Sequence, residues 1–352
     1  MKRVFAVSLI SIKHLPFYFL LAIISSSVYS TTYTERWLSF ETKLTKQVKS
    51  FQNSPPLKSM FGTFKRVEYQ SSDLSLPAYI DTQLIEVGIS KPAVVYLHGG
   101  FGLSESELRV VDAFTKNGYI VMVPTWRGEN QNPGHFEVFM GEVGDARAAV
   151  QWLAAQPFVD AKQVSVFGWS VGGGIALNLA MLSDIPVRCS GSSAGIYDTN
   201  LINDWATNDD FIVFPYNHLN EKENYFRLPI YHLEDLPRPH RSWIGKDDGY
   251  EEIEKLIGGM RLNKNSLFQL VEVPGDHVDS LPLAIRDFIE WDKSGCSTKK
   301  ISSQVLRITE THQNKIQNNS FLRLIIMAVL LIFLLLISVL FSKLHVGCSP
   351  CK

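Results

Sequence analysis

Residues 164–174, V-S-V-F-G-W-S-V-G-G-G, place a serine at the centre of a G-x-S-x-G pattern. The β-branched and aromatic residues before it predict a buried parallel strand, and the apolar residues after it predict a helix. Ser170 would then occupy a sharp strand-to-helix turn, which holds its hydroxyl above the sheet within reach of a base. Gly168 and Gly172 fit this turn because a side chain at either position would collide with the neighbouring strand or helix. The pattern also fits a glycine-rich turn without chemistry, so the rest of the chain must supply the partners of a nucleophile.

A nucleophilic serine needs a base and an acid that orients the base. In a strand–turn–helix site the chain order is nucleophile, acid, histidine, each in a loop after a strand. Two later predicted strands are followed by the loops K-D-D-G and P-G-D-H. His277 is therefore the candidate base and Asp247 the candidate acid, with Asp248 as the alternative. The aspartates also fit an N-cap of the following helix, and His277 also fits an ordinary loop position.

The oxyanion of an acyl-transfer reaction needs backbone N–H donors near the nucleophile. One is expected from Val171, directly after the nucleophile, and one from the loop that follows an early strand. The apolar run 93–97 is followed by H-G-G-F-G, whose glycines allow close approach of the backbone to a tetrahedral intermediate. Gly100 or Phe101 is the candidate second donor. The chemistry needs no metal and no cofactor.

Strands and helices alternate from residue 93 to residue 291. This order predicts an α/β fold with a mostly parallel sheet and helices on both of its faces. Two earlier segments alternate apolar and polar residues and predict antiparallel strands at a sheet edge. The predicted strands are 61–69, 78–87, 93–97, 118–123, 164–168, 187–192, 242–245 and 267–273, and the predicted helices are 105–116, 142–155, 175–180, 251–260 and 281–291.

Two segments stand outside this alternation. Residues 34–51 have apolar side chains at roughly helical spacing and predict an amphipathic helical segment within 31–60. Residues 197–238 form a long insertion rich in aromatic residues, between the nucleophile and the candidate acid. Long connections in compact domains are usually lids or binding loops, and we expect this one to cover the catalytic face. The alternative is a small satellite core.

Composition excludes several classes of protein. The chain has 352 residues with 34 basic and 35 acidic side chains, so it has no electrostatic footprint for nucleic acid. Its four cysteines are too few and too scattered to predict a disulfide framework. Cys348 and Cys351 form a lone C-x-x-C, which is a poor zinc site because four ligands are needed. Exposed thiols or acylation sites fit that tail better.

The two ends of the chain predict membrane targeting. Residues 1–30 have a basic start, a short apolar core and small residues at the end, which predicts a signal peptide or an uncleaved N-terminal anchor. Residues 321–342 contain a long apolar run, which predicts a transmembrane helix after a linker at 294–320 and before a short tail at 343–352. The signal peptide favours an extracytoplasmic catalytic domain at 61–293 on a single-pass membrane protein.

Several motifs together resemble the α/β-hydrolases of the prolyl oligopeptidase and dienelactone-hydrolase kind. They are Y-L-H-G-G-F-G at 96–102, W-R-G-E at 126–129, G-D-A-R-A-A-V-Q-W-L at 144–153, the nucleophile stretch at 158–174, G-K-D-D-G at 245–249 and G-D-H at 275–277. The resemblance implies Asp247, the first of the pair, as the triad acid. It also suggests that Arg127 lies near the pocket, where a structural role fits equally well, and Trp169 is a further candidate for substrate binding. Residues 31–92 are too few for the β-propeller of many such peptidases, which favours an esterase or a broad hydrolase over a peptidase.

The sequence thus predicts a serine hydrolase that cleaves an ester or amide bond through Ser170, His277 and Asp247. Its substrate would be a small ester or peptide, and its other partner the lipid bilayer. The alternative is a non-catalytic binding or scaffold protein at the membrane that retains the same fold.

Overall fold

The computed structural model describes residues 31–49, 55–58, 60–208, 214–248, 265 and 267–298. Within these residues no helix has the length and apolar character needed to cross a bilayer. The predicted signal peptide, the predicted transmembrane helix with most of its linker, the tail and the predicted helix 251–260 lie outside the described residues.

A nine-stranded sheet forms the centre of the molecule, in the order β1-β2-β3-β5-β4-β6-β7-β8-β9. The six strands from β5 to β9 in that order are parallel, and β1, β2 and β3 pair antiparallel at one edge. The strands are β1 Met60–Phe61, β2 Phe64–Ser71, β3 Leu74–Asp81, β4 Lys91–Leu97, β5 Ile120–Pro124, β6 Val159–Trp169, β7 Ser190–Ser193, β8 His240–Gly245 and β9 Phe268–Val273. The predicted α/β class with an antiparallel edge is confirmed.

Helices cover both faces of the sheet. They are α1 Tyr33–Leu38, α2 Glu105–Val110, α3 Asp112–Lys116, α4 Gly141–Ala154, α5 Val171–Ala180, α6 Thr199–Asn208, α7 Glu221–Arg227 and α8 Leu281–Lys293, with a 3-10 helix at Pro229–Asp235. Side chains of β4 alternate between two buried apolar clusters, one shared with α4 and α5 and the other with α3 and α8. This alternation follows from the two-residue period of a strand, and it explains why the central strands are apolar throughout.

Strand β7 is built from small residues, S-G-S-S, and begins at Ser190 where the sequence predicted 187. The surroundings of Gly191 show why a small residue is needed in this strand. A Cβ at Gly191 would lie 2.6 Å from the Phe288 ring and 2.9 Å from the Trp243 ring. The small strand therefore makes room for large aromatic side chains from β8 and α8 in the core.

The predicted N-terminal helical segment is only partly helical. A capping box of Thr32 and Glu35 starts α1, but the helix ends at Leu38. Beyond it the chain pairs with the insertion, where Leu44 forms an antiparallel bridge with Tyr216. The side chain of Glu223 also accepts hydrogen bonds from the Thr42 hydroxyl and the Lys43 N–H. These tertiary bonds replace the helical ones, so the prediction of a continuous helix was wrong for residues 39–49.

A disulfide joins Cys189, immediately before β7, to Cys296, after α8. Both cysteines are buried, and their Cα atoms lie 6.3 Å apart. Composition alone did not predict this pair because the two cysteines are 107 residues apart in sequence. The closed loop contains the insertion and both candidate loops for the acid and the base, so the bridge ties this part of the chain to the last helix.

Removal of this bridge is expected to destabilise the domain. The double variant Cys189→Ser, Cys296→Ser should lose about 2–5 kcal/mol of unfolding free energy, because the unfolded chain gains the freedom of a long loop. Denaturant unfolding of the wild type and the variant measures the difference.

Alkylation with iodoacetamide in denaturant, without reductant, provides the control. Cys348 and Cys351 should react in the wild type, whereas Cys189 and Cys296 should react only after reduction. Alkylation of Cys189 or Cys296 without reductant would contradict the bridge.

Candidate active site

Ser170 lies in a strained turn between β6 and α5. Its backbone has φ 53° and ψ −118°, a combination that non-glycine residues rarely adopt and that carries on the order of 1–3 kcal/mol of strain. A Cβ at Gly168 would lie 2.0 Å from the Gly172 carbonyl oxygen, and a Cβ at Gly172 would lie 2.1 Å from that of Leu97. The two glycines of the motif are thus required by close backbone approach, as the sequence predicted.

His277 pairs with Asp248 and not with Asp247. The Nδ1 atom of His277 lies 3.2 Å from both carboxylate oxygens of Asp248, which is buried. Asp247 is exposed, and its backbone N–H donates to the Gly275 carbonyl instead. A turn at 245–248 explains why Asp248 and not Asp247 reaches His277. The Asp248 N–H donates to the Gly245 carbonyl, so the chain folds back and places Asp248 near the end of β8. This geometry corrects the choice of Asp247 and favours the alternative that the sequence left open.

The loops after β8 and β9 are held against each other at the carboxyl edge of the sheet. The Lys246 N–H donates to the Val273 carbonyl at 2.9 Å, and the Asp247 N–H donates to Gly275 at 3.0 Å. A Cβ at Gly245 would lie 2.4 Å from the Gly275 oxygen, so the strand end must be a glycine for the loops to meet. These loop contacts bring the Asp248 carboxylate, which follows β8, next to the His277 imidazole, which follows β9.

Trp169 connects the nucleophile turn to the histidine. Its indole N–H donates to the His277 carbonyl at 3.1 Å, and the two rings are 5.5 Å apart. On the other side the indole packs on Gly99, where a Cβ would lie 2.6 Å from the ring. Trp169, predicted to bind substrate, thus contacts the loop of His277 on one side and Gly99 on the other, and these contacts favour a positioning role.

The predicted oxyanion donors lie in the two expected places. Val171 is the first residue of α5, where backbone N–H groups have no partner within the helix. Gly100 has φ 66°, a left-handed conformation that favours glycine in the loop after β4. The Gly99 N–H is already bonded to the Glu107 carboxylate at 2.8 Å, which leaves Gly100 and Phe101 as the candidates in this loop.

Aromatic side chains gather beside this loop. The ring of Phe101 packs edge-on against Phe136 at 5.2 Å and against Trp205 at 5.6 Å. Trp205 belongs to α6 of the insertion, so the insertion contacts the loop after β4 at Phe101. Phe101 and Trp205 are half-buried and Phe136 is buried, so the first two side chains leave some apolar surface beside this loop.

Arg127 has contacts of a structural kind. Its guanidinium bonds the Asp145 carboxylate at 2.8 and 3.0 Å and the Glu137 carboxylate at 2.7 Å. Although burial lowers the pKa of Arg127, the bond to Asp145 raises it far above its ordinary value. With both carboxylates engaged, Arg127 fixes the loop between β5 and α4. This favours the structural role over the predicted substrate contact.

The same R-G-E-N run supplies two residues that sequence reasoning missed. Glu129 accepts hydrogen bonds from His98 at 3.0 Å and from the Trp126 N–H at 2.8 Å. Asn130 accepts from the Leu103 N–H at 2.9 Å and donates to the Leu103 carbonyl at 3.0 Å. Both therefore hold the loop that contains Gly100. The W-R-G-E motif at 126–129 includes Glu129, but sequence reasoning took only Arg127 from it as a candidate site residue.

One further group of described side chains is close enough to share a metal ion. It consists of Cys189, Asp292 and Cys296. Its two sulfurs are joined in the disulfide, and the Asp292 carboxylate is bonded by Arg188 and by the Ser165 hydroxyl. These contacts favour a structural role for the group.

The chain is similar to known proteins in sequence and in fold. The family model of the X-Pro dipeptidyl-peptidases (S15 family) matches residues 22–218. Two uncharacterized proteins from strains CDC 1551 and H37Rv of Mycobacterium tuberculosis are 35% identical over 94 residues, which is 27% of this chain. The chain spans about a third of the length of these curated relatives, 33% of each.

Solved structures share the fold at low identity. The esterase Pf2001 of Pyrococcus furiosus is 19% identical with a TM-score of 0.53, over 69% of this chain and 97% of its own. The acylaminoacyl peptidase of Pyrococcus horikoshii is 18% identical with a TM-score of 0.50, over 66% and 41%. The hyperthermophilic esterase of Pyrobaculum calidifontis is 18% identical with a TM-score of 0.50, over 71% and 87%. The family match covers more than half of the chain, and the chain therefore belongs to the S15 peptidase family, within the serine hydrolases of the α/β-hydrolase fold.

Proposed function

We propose that the protein hydrolyses small carboxylic esters or peptide bonds through a Ser170–His277–Asp248 triad and an acyl-enzyme intermediate. The observation that carries this proposal is the pairing of His277 Nδ1 with the buried Asp248 carboxylate, on a loop that Trp169 ties to the nucleophile turn. A half-buried serine in a strained turn, a buried acid and a histidine, in this chain order, are the parts that acyl transfer needs.

The proposed reaction follows from the roles of these atoms. Because Nδ1 of His277 faces Asp248, Nε2 is the nitrogen that takes the proton of the Ser170 hydroxyl. The serine oxygen attacks the substrate carbonyl carbon, and the N–H groups of Val171 and of Gly100 or Phe101 stabilise the oxyanion. His277 returns the proton to the leaving alcohol or amine, and water then releases the acyl group by the same route.

The aromatic cluster of Phe101, Phe136 and Trp205 supports an apolar acyl or side-chain group in the substrate. It lies beside the candidate oxyanion donors, where the part of the substrate next to the carbonyl must sit. We infer that α6 of the insertion acts as a lid, because its Trp205 packs against Phe101 and extends this apolar surface. The names of the similar structures include both esterases and a peptidase, so both bond types belong in the substrate panel.

The disulfide supports an extracytoplasmic location for the catalytic domain. Disulfides persist in oxidising compartments and are rare where glutathione keeps thiols reduced. The basic and apolar residues of 1–30 and the apolar run within 321–342 fit an exported domain with a C-terminal anchor. We therefore propose a single-pass membrane protein whose hydrolase domain faces outward.

A fluorophosphonate probe tests the nucleophile. We expect one label per chain on Ser170 in the wild type and none in Ser170→Ala, because the probe reacts with activated serines. Labelling that survives Ser170→Ala, or no labelling of the wild type, would contradict the proposal.

Two related experiments address location and substrate. A membrane-impermeant form of the probe should label the protein on cells with an intact plasma membrane. Comparison of the hydrolysis rates of p-nitrophenyl esters and X-Pro anilides separates an esterase from a peptidase.

Asp248→Asn and Asp247→Asn form a matched pair that tests the acid. Asp248→Asn should lower kcat by about 10⁴-fold, because the amide no longer holds the imidazole in the tautomer that accepts the serine proton. Asp247→Asn should leave kcat close to the wild-type value, since this side chain is exposed. Steady-state kinetics with a p-nitrophenyl ester measure both. The reverse ranking would restore Asp247 as the acid.

Trp205→Ala tests the lid surface. Lengthening the acyl chain from acetate to hexanoate should lower KM in the wild type, and the variant should lose about 10-fold of that preference because an apolar wall is gone. Trp152→Ala is the control, since Trp152 is also half-buried but lies on α4. Equal chain-length profiles for wild type and Trp205→Ala would exclude Trp205 from the substrate surface.

A further inference from the structure

His98 is a fully buried histidine directly after β4, at the start of the oxyanion loop. Its Nε2 atom lies 3.0 Å from a Glu129 carboxylate oxygen, and its Nδ1 atom lies 3.0 Å from the Gly99 carbonyl oxygen. A second carboxylate, that of Glu107, lies 3.9 Å from Nδ1. The ring also stacks on Trp126 at 5.2 Å.

Both ring nitrogens therefore face acceptors. A carbonyl oxygen cannot donate a hydrogen bond, and an ionised carboxylate only accepts, so both nitrogens must carry a hydrogen to satisfy these contacts. The doubly protonated ring is an imidazolium. Burial on its own lowers the pKa of His98, but the neighbouring Glu129 and Glu107 carboxylates outweigh it and raise the pKa to about 9.

We infer that the His98 imidazolium is a positioning residue that fixes the oxyanion loop for catalysis. Two successive residues of the loop, His98 and Gly99, each bond one of these two carboxylates. His98 binds Glu129 from the loop after β5, and the Gly99 N–H binds Glu107 from α2 at 2.8 Å. The next two residues, Gly100 and Phe101, are the candidate oxyanion donors. The buried contacts of His98 and Gly99 therefore immediately precede these donors in the chain.

Loss of the His98 proton removes this restraint. One ring nitrogen would then present a lone pair to an acceptor, and two carboxylates would lose their shared cation. The loop can relieve this conflict by shifting, and a shift of about 1 Å at an oxyanion donor lowers the rate by up to about 100-fold. The effect should appear in kcat more than in KM, because the oxyanion forms only in the transition state.

The sign of the pH dependence follows from the raised pKa. The stabilisation by the imidazolium is fully present below the unfolded-state pKa near 6.5 and is lost as pH rises through about 9. We therefore expect kcat of the wild type to fall above about pH 9, while the protein remains folded. This inference rests on the proposed serine chemistry.

Glu129→Gln tests the inference through the pH profile of kcat. The amide oxygen can still accept the hydrogen bond, but the charge that raises the pKa is gone, so the alkaline limb should move down by at least one pH unit. Glu107→Gln should give a smaller shift in the same direction. His98→Gln should lower kcat by about 10–100-fold with little change in KM. His218→Gln in the insertion is the matched control and should keep the wild-type profile.

Two further readouts separate this inference from its alternatives. Circular dichroism across the pH range shows whether each variant is folded, and fluorophosphonate labelling of Ser170 reports the proposed function independently. Nitrogen NMR of the rings should show an imidazolium at pH 7.5 that is absent in His98→Gln. A neutral ring for His98, or an alkaline limb that stays in place in Glu129→Gln and Glu107→Gln while Ser170 still labels, would overturn the inference.

Discussion

The close approach of backbones at the end of β6 is the constraint on which the site depends. Strand β6 and helix α5 meet through Gly168 and Gly172. The end of β4 and the residue after it approach α5 with the carbonyls of Leu97 and His98. No side chain fits at either glycine, so the turn between them is forced into the conformation that raises Ser170 above the sheet. The strain at Ser170 persists because packed elements on both sides determine it.

Around this turn, the parallel sheet gathers loops that are distant in sequence. The loops after β4, β6, β8 and β9 all leave the carboxyl edge, which is where sites form in open α/β sheets. Polar contacts then fix each loop to its neighbour. Trp169 bonds the histidine loop, the Gly275 carbonyl accepts from the acid loop, and buried Glu107 and Glu129 bond the oxyanion loop. The candidate site is thus held by backbone bonds and by side chains that take no direct part in the proposed chemistry.

Sequence reasoning reached the parts that depend on local pattern and chain order. The nucleophile turn, the histidine loop and the alternation of strands and helices follow from hydrophobic periodicity and glycine sterics, which act over a few residues. The choice between Asp247 and Asp248 depends on how a four-residue turn closes. The resemblance to a family pointed to Asp247, whereas the carboxylate that contacts His277 belongs to Asp248. The extended segment after α1, the Cys189–Cys296 bridge and the role of Glu129 depend on partners far away in sequence. No local pattern carries that information.

The central claim is an acyl-enzyme on Ser170. Rapid mixing with a p-nitrophenyl ester, followed by acid quench and peptide mass spectrometry, measures it directly. We predict a burst of one p-nitrophenolate per chain and a mass increase equal to the acyl group on the peptide that contains Ser170. Turnover without a burst and without acylated peptide, or an acyl group on another residue, would contradict this account.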